Sequence, residues 1–328
     1  MRDFAYVRVG DAATAVVALA QRPDARLVAG GTDLLNLLKD DIESPALLVD
    51  INQLDLVDIH VGPDGLNIGA LARMSDVAAH PGVRANYPVI AQTLEQSASP
   101  QVRNMATMGG NLVQRTRCPY FRAETPLPCN KRRPGSGCAA AEGDDRSSAI
   151  FGWSQHCVAT HPSDLAVVLA ALDATVRVRS LRDERTMAVT DFYRLPDQHP
   201  ERDTELSALE LITAIEVPPL PAAARSVYVK VRDRASYEFA LVSCAVAVHV
   251  YRERVQSARI ALGGVAAKPW RLTSAEQALV GVSLSADRLL AALDLSFAEA
   301  EPLRHNAFKV DLAKRAVVRA LMKAGEAA

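Results

Sequence analysis

Apolar positions along this chain fall into short blocks whose spacing switches between the helical and the extended period. Residues 12–20 are apolar at helical spacing, preceded by Asp11 and stopped by Arg22-Pro23, which predicts a helix. Residues 25–29 read as a short buried strand, broken by Gly30-Gly31; Thr32-Asp33 then reads as the cap of a helical run over 34–39. A strand is expected over 46–51. A strand pair follows over 57–61 and 66–70, joined by the turn signal Gly62-Pro63-Asp64-Gly65. Helical spacing returns at 74–79 and 89–98, and the segment 101–111 ends in a second glycine pair, Gly109-Gly110.

From Cys118 to about Gly152 the periodicity fades while Pro, Gly, Cys and charged residues accumulate, which predicts a long irregular loop. Such loops inside compact domains are functional or disordered. Regular pattern resumes with a helix over 163–170 and a strand over 174–178. Pro218, Pro219 and Pro221 suggest a linker, and strands follow over 226–231, 240–250 and 258–262, then the turn Gly263-Gly264 and helices towards the C-terminus. No tandem repeat is present. The pattern predicts an α+β fold with a boundary near residue 220.

A length of 328 residues favours two or three domains over one core. With 49% hydrophobic and 23% charged residues the composition is that of an ordinary globular protein. A formal net charge of −1 leaves no broad basic field to gather nucleic acid or an anionic membrane surface. No uninterrupted apolar run approaches the ~18 residues of a membrane span. The N-terminus has no basic start followed by an apolar run and a small-residue cleavage site, so no signal peptide is expected.

Cys118, Cys129, Cys138 and Cys157 lie close together in sequence, whereas Cys244 stands alone in a strand-like run and reads as a small buried apolar residue. Four thiolates from one irregular segment suit an iron–sulfur cluster, because the ligands must converge on it from several directions. Structural zinc also takes four cysteines, but its usual short C-x₂₋₄-C pair is missing. Two disulfides fit the count as well, so spacing leaves all three open. The Gly30-Gly31 loop, between a strand and a helix, exposes backbone N–H groups of the kind that hold a phosphate. Thr107-Met108-Gly109-Gly110-Asn111 offers a second such patch. Neither G-x-G-x-x-G after a first strand nor G-x-x-x-x-G-K-[ST] occurs, which excludes the Rossmann fingerprint and the P-loop.

The stretches LVAGGTDLL (27–35), QVRNMATMGGNL (101–112), ATHPSDLA (159–166), YVKVRDRASYEFALVS (228–243) and IALGGVAAKPWR (260–271) together resemble the FAD-binding subunits of the xanthine dehydrogenase/oxidase family. That resemblance implies a two-part FAD-binding domain of the vanillyl-alcohol-oxidase type over 1–220, followed by a smaller α+β domain over 221–328. The cysteine segment, about 115–160, is extra to most of the family. Its wording resembles the flavin subunit of periplasmic-type aldehyde oxidoreductases, where the insert ligates a [4Fe–4S] cluster; the flavin subunit of 4-hydroxybenzoyl-CoA reductase is the alternative. The implied cluster ligands are Cys118, Cys129, Cys138 and Cys157. For FAD, the resemblance implies that Val28, Ala29, Gly30, Gly31, Thr32, Asp33, Leu34 and Leu35 wrap the diphosphate and that Thr107, Gly109, Gly110 and Asn111 close its other side. Asp164 would meet the sugar portion and Lys230 the isoalloxazine. Ile212 and Ser97 are candidate flavin-lining positions, and His161 a candidate neighbour. From the residues alone, Asp164 also reads as a helix cap and Lys230 as a solvated strand lysine. Asp33 places an acid beside the expected phosphate, which requires its carboxylate to turn away. The implied partners are a small subunit with two [2Fe–2S] clusters and a large molybdenum-cofactor subunit. The implied location is periplasmic if a signal-bearing partner carries the chain across, and cytoplasmic otherwise. A zinc-binding interaction module is the non-enzymatic alternative, and it leaves the paired glycine loops without a purpose.

Overall fold

The computed structural model describes residues 1–221 and 223–326; the end of the expected C-terminal segment, 327–328, lies outside them. Three sheets are present among those residues. The first is parallel, with strands β1 (Ala5–Arg8), β2 (Ala25–Val28) and β3 (Leu47–Asp50) in the order β1-β3-β2. The helix Ala12–Gln21 connects β1 to β2. It is capped by Asp11, whose carboxylate accepts from Thr14 N at 2.8 Å, and it buries Ala15, Val16 and Leu19.

The second sheet is antiparallel and holds β4 (Ile59–Gly62), β5 (Gly65–Gly69), β6 (Thr175–Arg179), β7 (Glu184–Ala188) and β8 (Leu211–Val217), in the order β4-β5-β8-β6-β7. Its middle strand β8 reads Leu-Ile-Thr-Ala-Ile-Glu-Val and is buried along nearly its whole length, as a strand covered on both faces must be. The third sheet, also antiparallel, contains β9 (Ala224–Val231), β10 (Val242–Tyr251), β11 (Arg254–Gly263) and β12 (Trp270–Arg271), in the order β12-β11-β10-β9.

After Asp164 the helix Asp164–Ala171 is apolar all round and every residue of it is buried, as a helix packed on several sides requires. It lies against β10, β11 and the helix Pro88–Gln96. One apolar core accordingly runs from the second sheet through this helix to Tyr228, Ala245, Ala247 and Ala261 of the third. The helix Phe308–Glu326 packs on β9 and β10 and closes a second core. Lys309 of that helix is fully buried and donates to the carbonyls of Ser147 and Ser148 at 3.1 and 2.8 Å, and to that of Gly264. It thereby ties the C-terminal helix to the end of the cysteine segment.

That segment is not the structureless loop its texture predicts. It holds a one-turn helix, Pro119–Arg122, a 3₁₀ turn, Ala139–Ala141, and a backbone bridge between Cys129 and Cys138. Phe121, Ala149, Ile150 and Phe151 are buried, so sparse apolar residues without period suffice to fold it onto the body. No helix among the described residues is long and apolar enough to cross a membrane.

Candidate functional site

The chain positions expected to hold FAD converge on one cavity of about 610 Å³, inside the size range of small-molecule and cofactor sites. Val28 through Leu34, Thr107, Gly109, Gly110, Asn111, Asp164, Ile212 and Lys230 line it, and so does Ser97. Leu35 does not. One residue on from Leu34 in a helix turns the side chain by about 100°, and Leu35 faces solvent, 38% exposed.

The first glycine loop leaves β2 with its amides unpaired: those of Gly30, Gly31, Thr32, Asp33 and Leu34 have no acceptor among the described residues. A run of such donors on a cavity wall suits an anion. Gly31 takes φ +70°, and a Cβ on Gly30 would stand 1.9 Å from Met105 O, so this loop lies directly on the segment leading to the second one. Two side chains that sequence reasoning missed brace that approach. Asn52 Nδ2 donates to Ala29 O at 3.0 Å, and Arg73 donates to Asn52 Oδ1 at 2.9 Å and to Met105 O.

The second glycine pair is not a turn with free amides. It sits in the short helix Met108–Leu112, where Met108 N and Gly109 N donate to Ala72 O and Ala70 O, Asn111 N to Thr107 O, and Gly110 N to Thr107 Oγ1. What this pair offers the cavity is bare backbone surface together with the side chains of Thr107 and Asn111. The expectation that backbone amides of both loops face one diphosphate is therefore corrected: only the first loop has them to offer.

Asp33 does not cap the helix that follows it. Its carboxylate accepts from Arg115 N at 2.8 Å and pairs with Arg117 and Arg122, each at 2.9 Å. Burial lowers Arg117 to about 10, so it stays charged at neutral pH. The acid beside the loop is thus turned away and neutralised.

Lys230, on β9 and also lining the cavity, is no solvated lysine. Its side chain is 1% exposed and Nζ donates to Asp164 Oδ2 at 2.7 Å. Tyr228 donates its hydroxyl to Asp164 Oδ1 at 2.6 Å, and Ser97 Oγ lies 3.1 Å from Oδ2. Tyr228 was not anticipated; β9 places it two residues before Lys230, on the same face of the strand. Nor does Asp164 cap its helix. That role belongs to Ser163, whose hydroxyl accepts from Ala166 N at 3.0 Å.

The four clustered cysteines line one small cavity next to Phe121, Asn130, Lys131 and His156. Cys244 is buried in β10, away from them. All five are free thiols, so the disulfide alternative is not realised. Among the described residues, no three His, Cys, Asp or Glu side chains are grouped to hold a single metal ion. Burial pushes the Cys118 thiol up and that of Cys157 to about 12, so a metal centre bound there must displace protons.

His161 lies outside the large cavity, in a smaller one that shares Arg117, Pro162, Asp164 and Phe239 with it and Cys118, Ala140 and Ala159 with the cysteine cavity. Its ring packs on Tyr193 at 4.3 Å, and Nε2 has no hydrogen-bond partner among the described residues. Desolvation pushes its pKa down to about 3, with Lys131 and Arg117 acting in the same direction and Asp203 against. An unfolded histidine titrates near 6.5, so the unfolded chain binds the extra proton between those values, and stability is lost as pH falls through that window. Between pH 7 and 5 this one group is expected to remove about 2 kcal/mol. The urea midpoint of His161→Gln should fall less over that interval than that of the unaltered chain; equal falls would show that the ring is not buried neutral.

A glycine loop with free amides, a cavity of cofactor size and a buried Lys–Asp pair on its wall are the features of a site for a phosphate-bearing cofactor. Residues 2–220 match the family model described as the FAD binding domain in molybdopterin dehydrogenase, and residues 227–324 match the CO dehydrogenase flavoprotein C-terminal domain. The chain belongs to the FAD-binding subunits of the molybdenum hydroxylases, and is an oxidoreductase subunit. It is 47% identical to the aldehyde oxidoreductase FAD-binding subunit PaoB of Escherichia coli strain K12, over 99% of both chains. It is 29% identical to the glyceraldehyde dehydrogenase medium chain of Sulfolobus acidocaldarius, over 87% of this chain and 84% of that one. Among solved structures, carbon monoxide dehydrogenase from Hydrogenophaga pseudoflava superposes with a TM-score of 0.77 at 26% identity, covering 99% of this chain and 98% of that one. Quinoline 2-oxidoreductase from Pseudomonas putida 86 gives 0.77 at 25%, with the same coverage.

Proposed function

We propose that this chain carries FAD and a [4Fe–4S] cluster as the electron-transfer subunit of a molybdenum-dependent aldehyde oxidoreductase. A small subunit with two [2Fe–2S] clusters would deliver electrons to it, and a large subunit would hold the molybdenum cofactor where the aldehyde is oxidised to the acid. The observation that carries this reading is the placement of four cysteines around one small cavity that adjoins, through the His161 cavity, the large one holding the glycine loop and Asp164–Lys230. The likeness to PaoB over the full length supports aldehyde as the substrate class and favours it over reduction of an aromatic thioester. The chain's location follows that of its partners.

The residues fit both groups. For FAD, the free amides from Gly30 to Leu34 would hold the diphosphate, with Thr107 and Asn111 on its flank. Asp164, fixed by Tyr228 and Lys230, would meet the sugar portion, and Lys230 and Ile212 would border the ring system. For the cluster, four thiols with no carboxylate among them form a soft donor set. A cluster is several ångströms across and takes its ligands from around its periphery, so a spacing that suits no single ion is compatible with it. FAD, when bound, supplies the ability to accept electrons singly and release them in pairs. The chain's part is to hold, orient and screen: the arginines around Asp33 keep negative charge off the phosphate side, and the packing of Phe121 and Cys129 against Leu37 shields the thiols.

The test is the full-length chain produced with iron and riboflavin available. Flavin absorption bands over a broad brown shoulder, one FAD and about four irons per chain, and loss of the iron alone in Cys118→Ser are expected. A flavin-yellow chain free of iron would remove the cluster from the proposal, and a colourless one would remove both.

A further inference from the structure

Three sets of contacts join the first glycine loop, its helix Leu34–Lys39 and the segment just after that helix to the cysteine segment. The carboxylate of Asp33 is held by Arg117, immediately before Cys118, by Arg122, at the end of the one-turn helix that Cys118 begins, and by the amide of Arg115. Leu37 packs with Phe121 and Cys129. A charged chain runs from Glu43 through Arg115 to Asp203 and Lys131, which borders the cysteine cavity. These groups are largely shielded, with Asp33 and Arg122 each 17% exposed, so the pairs are screened less than surface ones.

An aspartate at this position normally turns to the amides of the helix it precedes. Here the amides that a cap would engage, Leu35 N and Asn36 N, bond Gly31 O and Asp33 O instead, the free amides belong to residues 30–34 on the cavity wall, and the arginines hold the carboxylate. The geometry points to Asp33 as a positioning residue that couples the two cofactor sites: a filled cysteine site strengthens FAD binding, and FAD in turn strengthens retention of the cluster. This rests on the function proposed above. A cluster fixes Cys118, and with it Arg117 and Arg122. Once the cysteines are released, the arginines loosen and the carboxylate swings to the amides of residues 30–34, where it occupies the donors and repels the diphosphate. Coupling of this kind is reciprocal by thermodynamic necessity.

The test compares FAD affinity, read by flavin fluorescence, in the full-length chain with the cluster intact and after oxidative removal with a chelator, iron being assayed and the fold checked by circular dichroism. In the unaltered chain, removal of the cluster should weaken FAD binding about 10-fold. In Asp33→Ala, which keeps its amide but has no carboxylate to swing, FAD affinity with and without the cluster should differ by less than about 2-fold. Arg117→Gln with Arg122→Gln should bind FAD weakly even with iron, and adding Asp33→Ala should restore it. A purely structural ion pair predicts the reverse, with Asp33→Ala as damaging as the arginine changes and no restoration. Equal FAD affinity before and after cluster removal, in a chain that holds both cofactors, overturns the coupling alone. A chain that takes up FAD and no iron overturns the cluster assignment and the coupling together.

Discussion

Gly30→Ala is expected to lower FAD affinity at least about 100-fold, the amount that follows from losing two charge-assisted hydrogen bonds. The new Cβ would lie 1.9 Å from Met105 O and 2.7 Å from Met105 C. Both are backbone atoms held by Arg73, which itself bonds Asn52, so the segment at 105 cannot yield cheaply and the glycine loop must move instead. Hydrogen bonds weaken steeply as donors move away or misalign, and the donors here are consecutive amides that move together. Gly31→Ala supplies the contrast. Its Cβ would meet Leu35 Cδ1 at 2.8 Å, the flexible end of an exposed side chain, and the remaining cost is a left-handed φ of +70°, worth about 1–2 kcal/mol. A loss near 10-fold is expected there. Fluorescence titration of the FAD-stripped variants decides the matter. If Gly31→Ala proved the worse of the two, the close approach of the loops would not be what positions the amides.

The strongly periodic parts of this fold were legible in the sequence. The helix Ala12–Gln21, strands β2 and β3, the hairpin of β4 and β5 and the helix Met74–Ala79 each follow from apolar spacing and flanking turn residues. The helices Pro81–Asn86 and Pro100–Met105 were missed, although a proline at the first helical position is a start signal as well as a break. Strand β7, charged and exposed, exists by pairing with β6, which no local pattern announces. At the site, the glycine loop was legible because its chemistry is local. The roles proposed for Asp164 and Lys230 rest on family resemblance; by itself a lysine in a strand reads as solvated, and only the fold brings it to a buried carboxylate. Arg73, Asn52, Tyr228 and the arginines around Asp33 were missed for the same reason, since each acts on a residue distant in the chain.

Breaking the Asp164–Lys230 pair should cost about 3–5 kcal/mol of stability, the usual penalty for leaving one member of a buried pair without its partner. Lys230→Met leaves the Asp164 carboxylate 7% exposed, with a tyrosine and a serine hydroxyl as its remaining side-chain partners. Asp164→Asn leaves the ammonium of Lys230 in a place where its side chain is 1% exposed, with Gln96 O at 3.4 Å as its other acceptor. Each single change therefore buries an uncompensated charge, whereas the double variant buries none. Its loss should be well below the sum of the two, within about 1–2 kcal/mol of the unaltered chain, since replacing both charges together is often close to neutral. The fold would then survive in a form that separates stability from cofactor binding. The double variant should stay folded and yet retain FAD poorly, because both side chains border the cavity. Urea midpoints at unchanged slope measure the first part, and the flavin content after gel filtration measures the second. Additive losses would mean that the two groups do not share a buried contact, and full flavin retention in the folded double variant would mean that they hold the core together without touching the cofactor.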